Sequence, residues 1–136
     1  MPRPRLALPL VLALLAAGCG GDASSAGDFE GEEANVADTV ERLESAGQSG
    51  DADVICDEVL AKSLRDRMRA GDAGCEKELE QAVADADDFA LTVEDVAIQG
   101  TRATARVRAE DGDGERVRTF ELVREGSSWR ASSLGS

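Results

Sequence analysis

Histidine and tyrosine are both absent from this chain, and aromatic residues make up only 3% of it. Histidine is the commonest general acid or base and the commonest metal ligand, so its absence removes every Ser-His-Asp and Cys-His nucleophile pair. The sequence contains no other catalytic motif. These absences favour a binding or interaction protein over an enzyme, and they predict neither a cofactor nor a metal site.

Basic residues are also scarce, since 15 lysines and arginines stand against 28 aspartates and glutamates and leave a net charge of -13. A surface of that sign repels phosphate backbones, so we predict that nucleic acid is not a partner. The 136 residues provide enough chain for one small domain and not for two.

The first eighteen residues have the layout of a secretory signal peptide. Arg3 and Arg5 precede an apolar run over residues 6–17, and small residues follow it. As a helix, this run would be about 18 Å long, whereas crossing a bilayer takes roughly 20 residues. We therefore predict that residues 1–18 direct export and do not anchor the protein.

The residues around the first cysteine, Leu15-Ala16-Ala17-Gly18-Cys19, resemble the lipobox of bacterial lipoproteins. That resemblance implies cleavage before Cys19 and a diacylglycerol on its sulfur, which holds the protein on the extracytoplasmic side of the cell membrane. Two acyl chains anchor a small domain stably, at about 0.8 kcal/mol per buried methylene. The alternative is an ordinary signal peptide cut nearby, which leaves Cys19 as a thiol.

The mature chain divides into a tether and a domain. After Cys19 the segment up to residue 31 is mostly Gly, Ser, Ala and Asp, a composition that cannot bury enough surface to order itself. Residues 19–31 are therefore predicted to be the lipidated cysteine with a flexible tether, and residues 32–136 are predicted to be the folded domain.

Apolar spacing predicts three helices before any strand. The first carries a stripe from Val36 to Ala46 and stops at a break over residues 47–50. The second starts after Asp51, which can cap it, and continues through Leu64 and Met68 to Gly71. The third begins near Gly74 and ends in a run of aspartates.

After Asp88 the apolar period changes to two, which predicts a four-stranded antiparallel meander with a bulge near Glu94-Asp95. If residues 111–114 form the second loop, Ala103 lies opposite Leu122 and Ala105 opposite Phe120. If Glu125-Gly126 is the third turn, the resulting pairs are Leu122 with Trp129, Phe120 with Ala131, and Glu121 with Arg130. Helices grouped before such a sheet predict an α+β fold, with the helices packed on its apolar face.

Several segments together resemble the small actinobacterial lipoproteins that carry a nuclear transport factor 2-like, cone-shaped domain. They are the helix ending in Ser49-Gly50-Asp51, the Ile55-Cys56 helix, Gly74-Cys75 and the terminal segment LVREGSSWRASSL. The resemblance spans residues 34–136 and implies that fold, which hosts an isomerase, a dehydratase, transport factors and binding modules. Fold therefore does not give function. A cystatin-like sheet with a wrapping helix is the alternative architecture.

Two cysteines remain once Cys19 is assigned to lipid. An exported protein reaches an oxidising compartment, so we predict a disulfide between Cys56 and Cys75. The alternative is a pair of buried, reduced thiols that act as small apolar residues.

Two acidic segments are candidate sites. The loop Asp111-Gly112-Asp113-Gly114-Glu115 alternates carboxylates as a calcium site does, but Arg116 stands where an EF-hand loop needs glycine. A solvated hairpin loop explains it better. A second acidic group offers a carboxylate base like that of the isomerase, but the tyrosine that this enzyme uses is missing, so we interpret the group as a solvated helix end. Its members are Asp85, Asp87, Asp88, Glu94 and Asp95.

The predicted register also places small and large apolar residues side by side on the inner face of the sheet. The small residues leave room for an apolar pocket, with Arg118 at its mouth, for an amphipathic ligand with an anionic group. The apolar lining consists of Ala103, Ala105, Phe120, Leu122 and Trp129. The favoured alternative is that Arg118 pairs with a helix carboxylate and that helix residues fill the hollow, namely Val36, Val40, Leu43, Leu79 and Val83.

These observations predict a membrane-tethered, extracytoplasmic lipoprotein that acts as a non-catalytic module. Its partner is an unidentified protein or a small amphipathic ligand. The alternative is an enzyme of the isomerase or hydratase type with an Asp/Arg site in the cone.

The substitution Cys19→Ser tests the anchor. We expect it to remove the lipid and release the protein from the membrane fraction, because the sulfur that carries the diacylglycerol is gone. Intact mass and detergent partitioning measure both effects, with Ser24→Ala as a control that leaves the lipobox intact. Cleavage after Gly18 and undiminished membrane retention of Cys19→Ser would contradict the assignment.

Overall fold

The computed structural model describes residues 25–69, 74–84, 89–111 and 114–135. A short 3-10 turn, Ser25–Asp28, precedes the helices. The helices are α1 (Gly31–Ser49), α2 (Ala52–Val54, continued by a π-helical turn over Ile55–Val59), α3 (Lys62–Arg69) and α4 (Gly74–Ala84). The strands are β1 (Ala90–Gln99), β2 (Arg102–Asp111), β3 (Gly114–Glu125) and β4 (Ser128–Ser133). They form one antiparallel sheet in the order β1-β2-β3-β4, so the predicted α+β fold is confirmed.

Helix α1 buries the predicted apolar stripe, including Val36, Val40 and Leu43. The helix does not break at Gly47, as the sequence suggested, but continues to Ser49 and ends where Gly50 adopts a φ of 73°. Gly47 is buried inside the helix because the ring of Phe89 lies against it, and a Cβ there would be 2.9 Å from Phe89 Cε1. Glycine serves close packing at this position, not helix termination.

The second predicted helix is interrupted, which corrects the continuous helix expected from its apolar spacing. Leu60 is extended, with φ -82° and ψ 139°, and forms a parallel bridge with Ala131 of β4. The Ala61 N–H donates to the Ala131 carbonyl at 2.8 Å. The helix ends here because the carbonyl groups on the outer edge of β4 need hydrogen-bond donors, which an extended backbone at this point supplies.

The expected cap of that segment also differs. The side chain of Asp51 makes no capping hydrogen bond. Instead its backbone carbonyl accepts the Ile55 N–H at 3.2 Å.

Pairing between the first three strands agrees with the sequence. Ala103 lies opposite Leu122 and Ala105 opposite Phe120. The register of β1 against β2 shifts between Val93 and Asp95, which confirms the predicted bulge. A bulge restores the inward alternation after one extra residue, so both halves of β1 bury their apolar side chains.

The predicted register between β3 and β4 is wrong. The turn is Gly126-Ser127, so Glu125 pairs with Ser128 and Leu122 lies opposite Ala131. Trp129 therefore pairs with Arg124 and not with Leu122, and Arg130 pairs with Val123 and not with Glu121. Nor does Ala131 pair with Phe120. Gly126 has a φ of 63°, which the first position of a tight two-residue turn requires.

This error in register leaves the buried face unchanged. The shift along β4 is two residues, and side chains two apart on a strand share a face. Trp129 and Ala131 accordingly remain in the core, at 4% and 2% exposure.

Helix α1 lies across the apolar face of the sheet and reaches both edge strands. At its middle, the Thr39 hydroxyl donates to the Trp129 carbonyl of β4 at 2.9 Å. Near its end, the Glu44 carboxylate accepts the Leu91 N–H of β1, and Gln48 Nε2 donates to the Phe89 carbonyl at 2.8 Å. The helix thus closes the core and also satisfies polar groups of both edges.

The folded unit begins earlier than residue 32. The turn Ser25–Asp28 contacts α1 and β1, and Phe29 packs against the core. The last residues of the predicted tether are therefore part of the domain. The predicted signal peptide and Cys19 lie outside the described residues.

The substitution Thr39→Val tests the contact between α1 and the β4 edge. It keeps the side-chain shape but leaves a buried carbonyl without its donor, so we expect the free energy of unfolding to fall by about 1–3 kcal/mol. Thr39→Ser, which keeps the hydroxyl, serves as the matched control and should lose less. Urea denaturation measures the difference, and equal losses in both variants would show that the hydrogen bond does not stabilise the fold.

Candidate functional site

The five apolar residues predicted to line a pocket lie in the hydrophobic core. Each is at most 5% exposed: Ala103, Ala105, Phe120, Leu122 and Trp129. Val36, Val40 and Leu43 of α1 belong to the same buried cluster, and Leu79 of α4 packs at its margin. This arrangement corresponds to the alternative in which helix residues fill the hollow. A ligand pocket on this face stays a prediction.

Arg118, predicted at the mouth of that pocket, is half-buried at the rim of the inner face, opposite Val107. Its aliphatic stem packs closely against Gly135, where an added Cβ would lie 2.9 Å from Arg118 Cβ. No residue in the described part of the chain forms an ion pair with it, so the helix carboxylate expected in the alternative is not found there. Its charge is available to an anionic group.

The buried polar atoms beside the inner face are paired. Trp129 Nε1 donates to Glu32 Oε2 at 2.7 Å, and the same oxygen lies 3.7 Å from Arg124 Nη1. Glu32 at the start of α1 therefore joins the helix to the β3–β4 hairpin. Sequence reasoning missed this contact because no local pattern relates residues 97 positions apart.

Of the acidic residues considered as a catalytic base, the structure describes only those on β1. Asp85, Asp87 and Asp88 lie outside the described residues. Glu94, the extra residue of the β1 bulge, accepts from Arg108 at 2.5 Å and lies 3.5 Å from Arg106, on the outer face of the sheet. Both of its carboxylate oxygens are therefore engaged by guanidinium groups, away from the inner face of the sheet.

The acidic hairpin loop considered as a calcium site is described only in part, since Gly112 and Asp113 lie outside the described residues. At its end, the Glu115 carboxylate pairs with Arg108 Nε at 2.8 Å. Within the described ranges no group of three or more acidic, histidine or cysteine side chains is placed to hold a metal ion.

A hollow of about 270 Å³ lies on the outer face of the sheet, and of the residues predicted to line the pocket it touches only Ala103 and Leu122. Its polar lining includes Gln99, Arg102, Thr104, Glu121 and Ser132. Ser132 is the extra residue where the β3–β4 register shifts. The alternation of side chains along each strand predicts that the first four residues share one face of the sheet. It does not predict that Ser132 joins them, because that depends on the shift in the pairing of β3 with β4.

A second hollow, of about 230 Å³, lies beside the disulfide. Cys56 and Asp57 form one wall, Arg65 and Arg69 of α3 form another, and residues 74–76 at the start of α4 form the third. We call this space the α3–α4 hollow. Sequence reasoning missed it, although Arg65 and Arg69 are one helical turn apart and share a face.

Basic residues predominate on α3, in contrast to the chain as a whole. Lys62, Arg65, Arg67 and Arg69 accompany a single acid, Asp66. A hydrogen bond from Lys62 Nζ at 2.7 Å lowers the pKa of the exposed Asp66 carboxyl, and the charges of Lys62, Arg69 and Arg65 act in the same direction. This pair occupies Lys62, while Arg67 Nη2 donates to the Ser132 carbonyl at 2.6 Å.

The predicted disulfide is present in the structure. Cys56 in the π-helical turn is bonded to Cys75 in the first turn of α4. Both are buried, at 3% and 8% exposure. The bond fixes the start of α4 against the π-helical turn and thereby sets two walls of the α3–α4 hollow.

Comparison with known proteins defines the class of fold, which is nuclear transport factor 2-like. A protein of this class from Shewanella baltica superposes with a TM-score of 0.54 at 15% identity, covering 75% of this chain and 89% of that one. A second, from Silicibacter pomeroyi, gives 0.54 at 15% identity, covering 74% and 89%. Both are described as being of unknown function. No protein-family model matches this chain, and no curated protein matches it in sequence.

None of the helices in the described part of the chain has both the length and the apolar character needed to cross a membrane.

Removing the disulfide tests how strongly it holds α4. For the double variant Cys56→Ala/Cys75→Ala we expect the free energy of unfolding to fall by about 3 kcal/mol, because a cross-link over 19 residues restricts the unfolded chain. Urea denaturation measures the loss, with Cys19→Ser as the control that leaves the bond intact. Two alkylatable thiols in folded, unreduced wild-type protein would contradict the bond.

Proposed function

We propose that the mature protein is an extracytoplasmic lipoprotein, anchored through Cys19, that serves as a non-catalytic binding or interaction module. The observation that carries the proposal is the composition of the inner face. Among the described residues, the one buried polar side chain is Thr39, and its hydroxyl is already bonded to the β4 edge. Because the helices cover this face, binding falls to its rim at Arg118, and no acid or base among the described residues is buried within it for turnover.

The membrane anchor is supported by the lipobox and by the disulfide, which fits an oxidising compartment. The turn Ser25–Asp28 contacts α1 and β1, so the five residues 20–24 separate the domain from Cys19. Even fully extended, such a segment spans at most about 20 Å. The domain therefore stays near the membrane surface and meets ligands or partners located there.

The proposed ligand is amphipathic, with an anionic group held by Arg118 and an apolar part that enters beside the inner face. Arg118 is suited to this because it is half-buried, and it forms no ion pair with the described residues. A guanidinium binds a carboxylate through two parallel hydrogen bonds. The isomerase or hydratase alternative needs an aspartate beside an arginine inside the cone, and no observation in the described residues favours it.

Binding of dodecanoate to the exported Cys19→Ser chain tests the proposal. Trp129 is the single tryptophan of the protein, so its fluorescence reports on the inner face. We expect saturable binding, weakened about tenfold in Arg118→Gln because a charge-assisted hydrogen bond is lost. Arg102→Gln on the outer face is the matched control and should bind as the parent chain does.

Either of two results would contradict a ligand-binding role for this face. One is a lack of saturable binding in the parent chain. The other is an equal loss in Arg118→Gln and Arg102→Gln, which would show attraction by overall charge alone.

A further inference from the structure

We propose that the α3–α4 hollow binds a small dianionic oxyanion, with phosphate as its simplest form, through Arg65 and Arg69. The hollow is separate from the inner face, and the inference holds whether or not the protein is lipid-anchored. It rests on the charges of Arg65 and Arg69, on the buried and unpaired Nε of Arg65, and on the first turn of α4, which forms the opposite wall.

The first observation is two like charges that form no ion pair with the described residues. Arg65 and Arg69 stand four residues apart on α3 and both face the hollow. Cations at this spacing repel each other. Neither forms an ion pair with any described residue, whereas Lys62 and Arg67 of the same helix both have partners at short range. An anion placed between them removes the repulsion.

The second observation is a donor that lacks an acceptor. Arg65 Nε is shielded from solvent and has no hydrogen-bond partner. A buried N–H on a charged group is rarely left unpaired, because water has been removed and nothing replaces it. Arg65 lines the hollow, so an oxyanion bound there can supply the missing acceptor.

The third observation concerns the opposite wall. Gly74, Cys75 and Glu76 form the first turn of α4, an eleven-residue helix. The first N–H groups of a helix have no partners within it, and the helix dipole adds positive potential at this end. The disulfide holds Cys75 in place and so fixes this end of α4 in the wall opposite the two arginines.

The size of the hollow selects the class of ligand. Its volume of about 230 Å³ is smaller than the roughly 300–1,000 Å³ of sites for drug-sized molecules. Asp57 and Glu76 also line it and repel anions that are bulky enough to reach them. Both acids are exposed and lie beyond ion-pair distance of the two arginines, so a compact oxyanion bound between the arginines displaces no ion pair of the described residues.

Titration calorimetry of the lipidated protein in detergent with inorganic phosphate tests the proposal, at constant ionic strength. Arg65→Lys keeps the charge but lacks Nε, and Arg69→Gln removes a charge from the same wall. We expect each to weaken phosphate binding about tenfold. Arg67→Gln, on the same helix but bonded to the Ser132 carbonyl, is the matched control and should change it less than twofold.

Sulfate and acetate form two further arms. We expect sulfate to compete with phosphate and acetate to compete poorly, since a dianion neutralises both guanidinium groups. If acetate competes as well as sulfate, the site is one for carboxylates and the assignment to dianions is overturned.

A measurement on the wild type alone keeps the proposal testable if a variant fails to fold. Phosphate should shift the amide resonances of Cys75 and Glu76 more than those of β2 on the far side of the core. The proposal is overturned by an absence of saturable binding, by undiminished binding in Arg65→Lys, by an equal loss in Arg67→Gln, or by shifts spread evenly over the chain. Each of these outcomes leaves the proposed role of the inner face untouched.

Discussion

The placement of α1 across the apolar face of the sheet is the constraint on which the rest of the structure depends. A four-stranded sheet with one apolar face must be covered to be stable in water. Helix α1 covers it with Val36, Val40 and Leu43, and it bonds to β4 through Thr39 and to β1 through Glu44. The core is closed because one helix spans the full width of the sheet.

The outer edge of β4 determines the path of the chain after α1. This edge has carbonyls that point away from β3, and three of them are satisfied by the helical half of the chain: Trp129 by Thr39, Ala131 by Ala61 and Ser132 by Arg67. Meeting the second contact requires an extended Leu60, which ends the π-helical turn and lets α3 start in a new direction. The orientation of α3, and hence the α3–α4 hollow, is a consequence of protecting that edge.

Charge is distributed unevenly over this acidic protein. On the outer face of the sheet, Arg106 and Arg108 of β2 are neutralised by Glu94 and Glu115. Arg118 at the rim of the inner face, and Arg65 and Arg69 in the hollow, are not neutralised by the described residues. In a chain with a net charge of -13, an anionic ligand gains the most binding free energy at cationic side chains that have no carboxylate partner. The fold alone does not choose among such sites, since nuclear transport factor 2-like domains serve many roles.

The sequence by itself determined the α+β class, the order of helices and strands, the pairing of β2 with β3, the β1 bulge and the disulfide partners. These features follow from local periodicity, from turn residues and from the small number of cysteines. Only the tertiary structure decided the β3–β4 register, the break at Leu60, the helical place of Gly47 and the arginine pair of the α3–α4 hollow. Each of these depends on which distant group needs a partner or a close contact. The contact of the Trp129 carbonyl with Thr39 and that of the Phe89 ring with Gly47 are not indicated by any periodic pattern in the sequence.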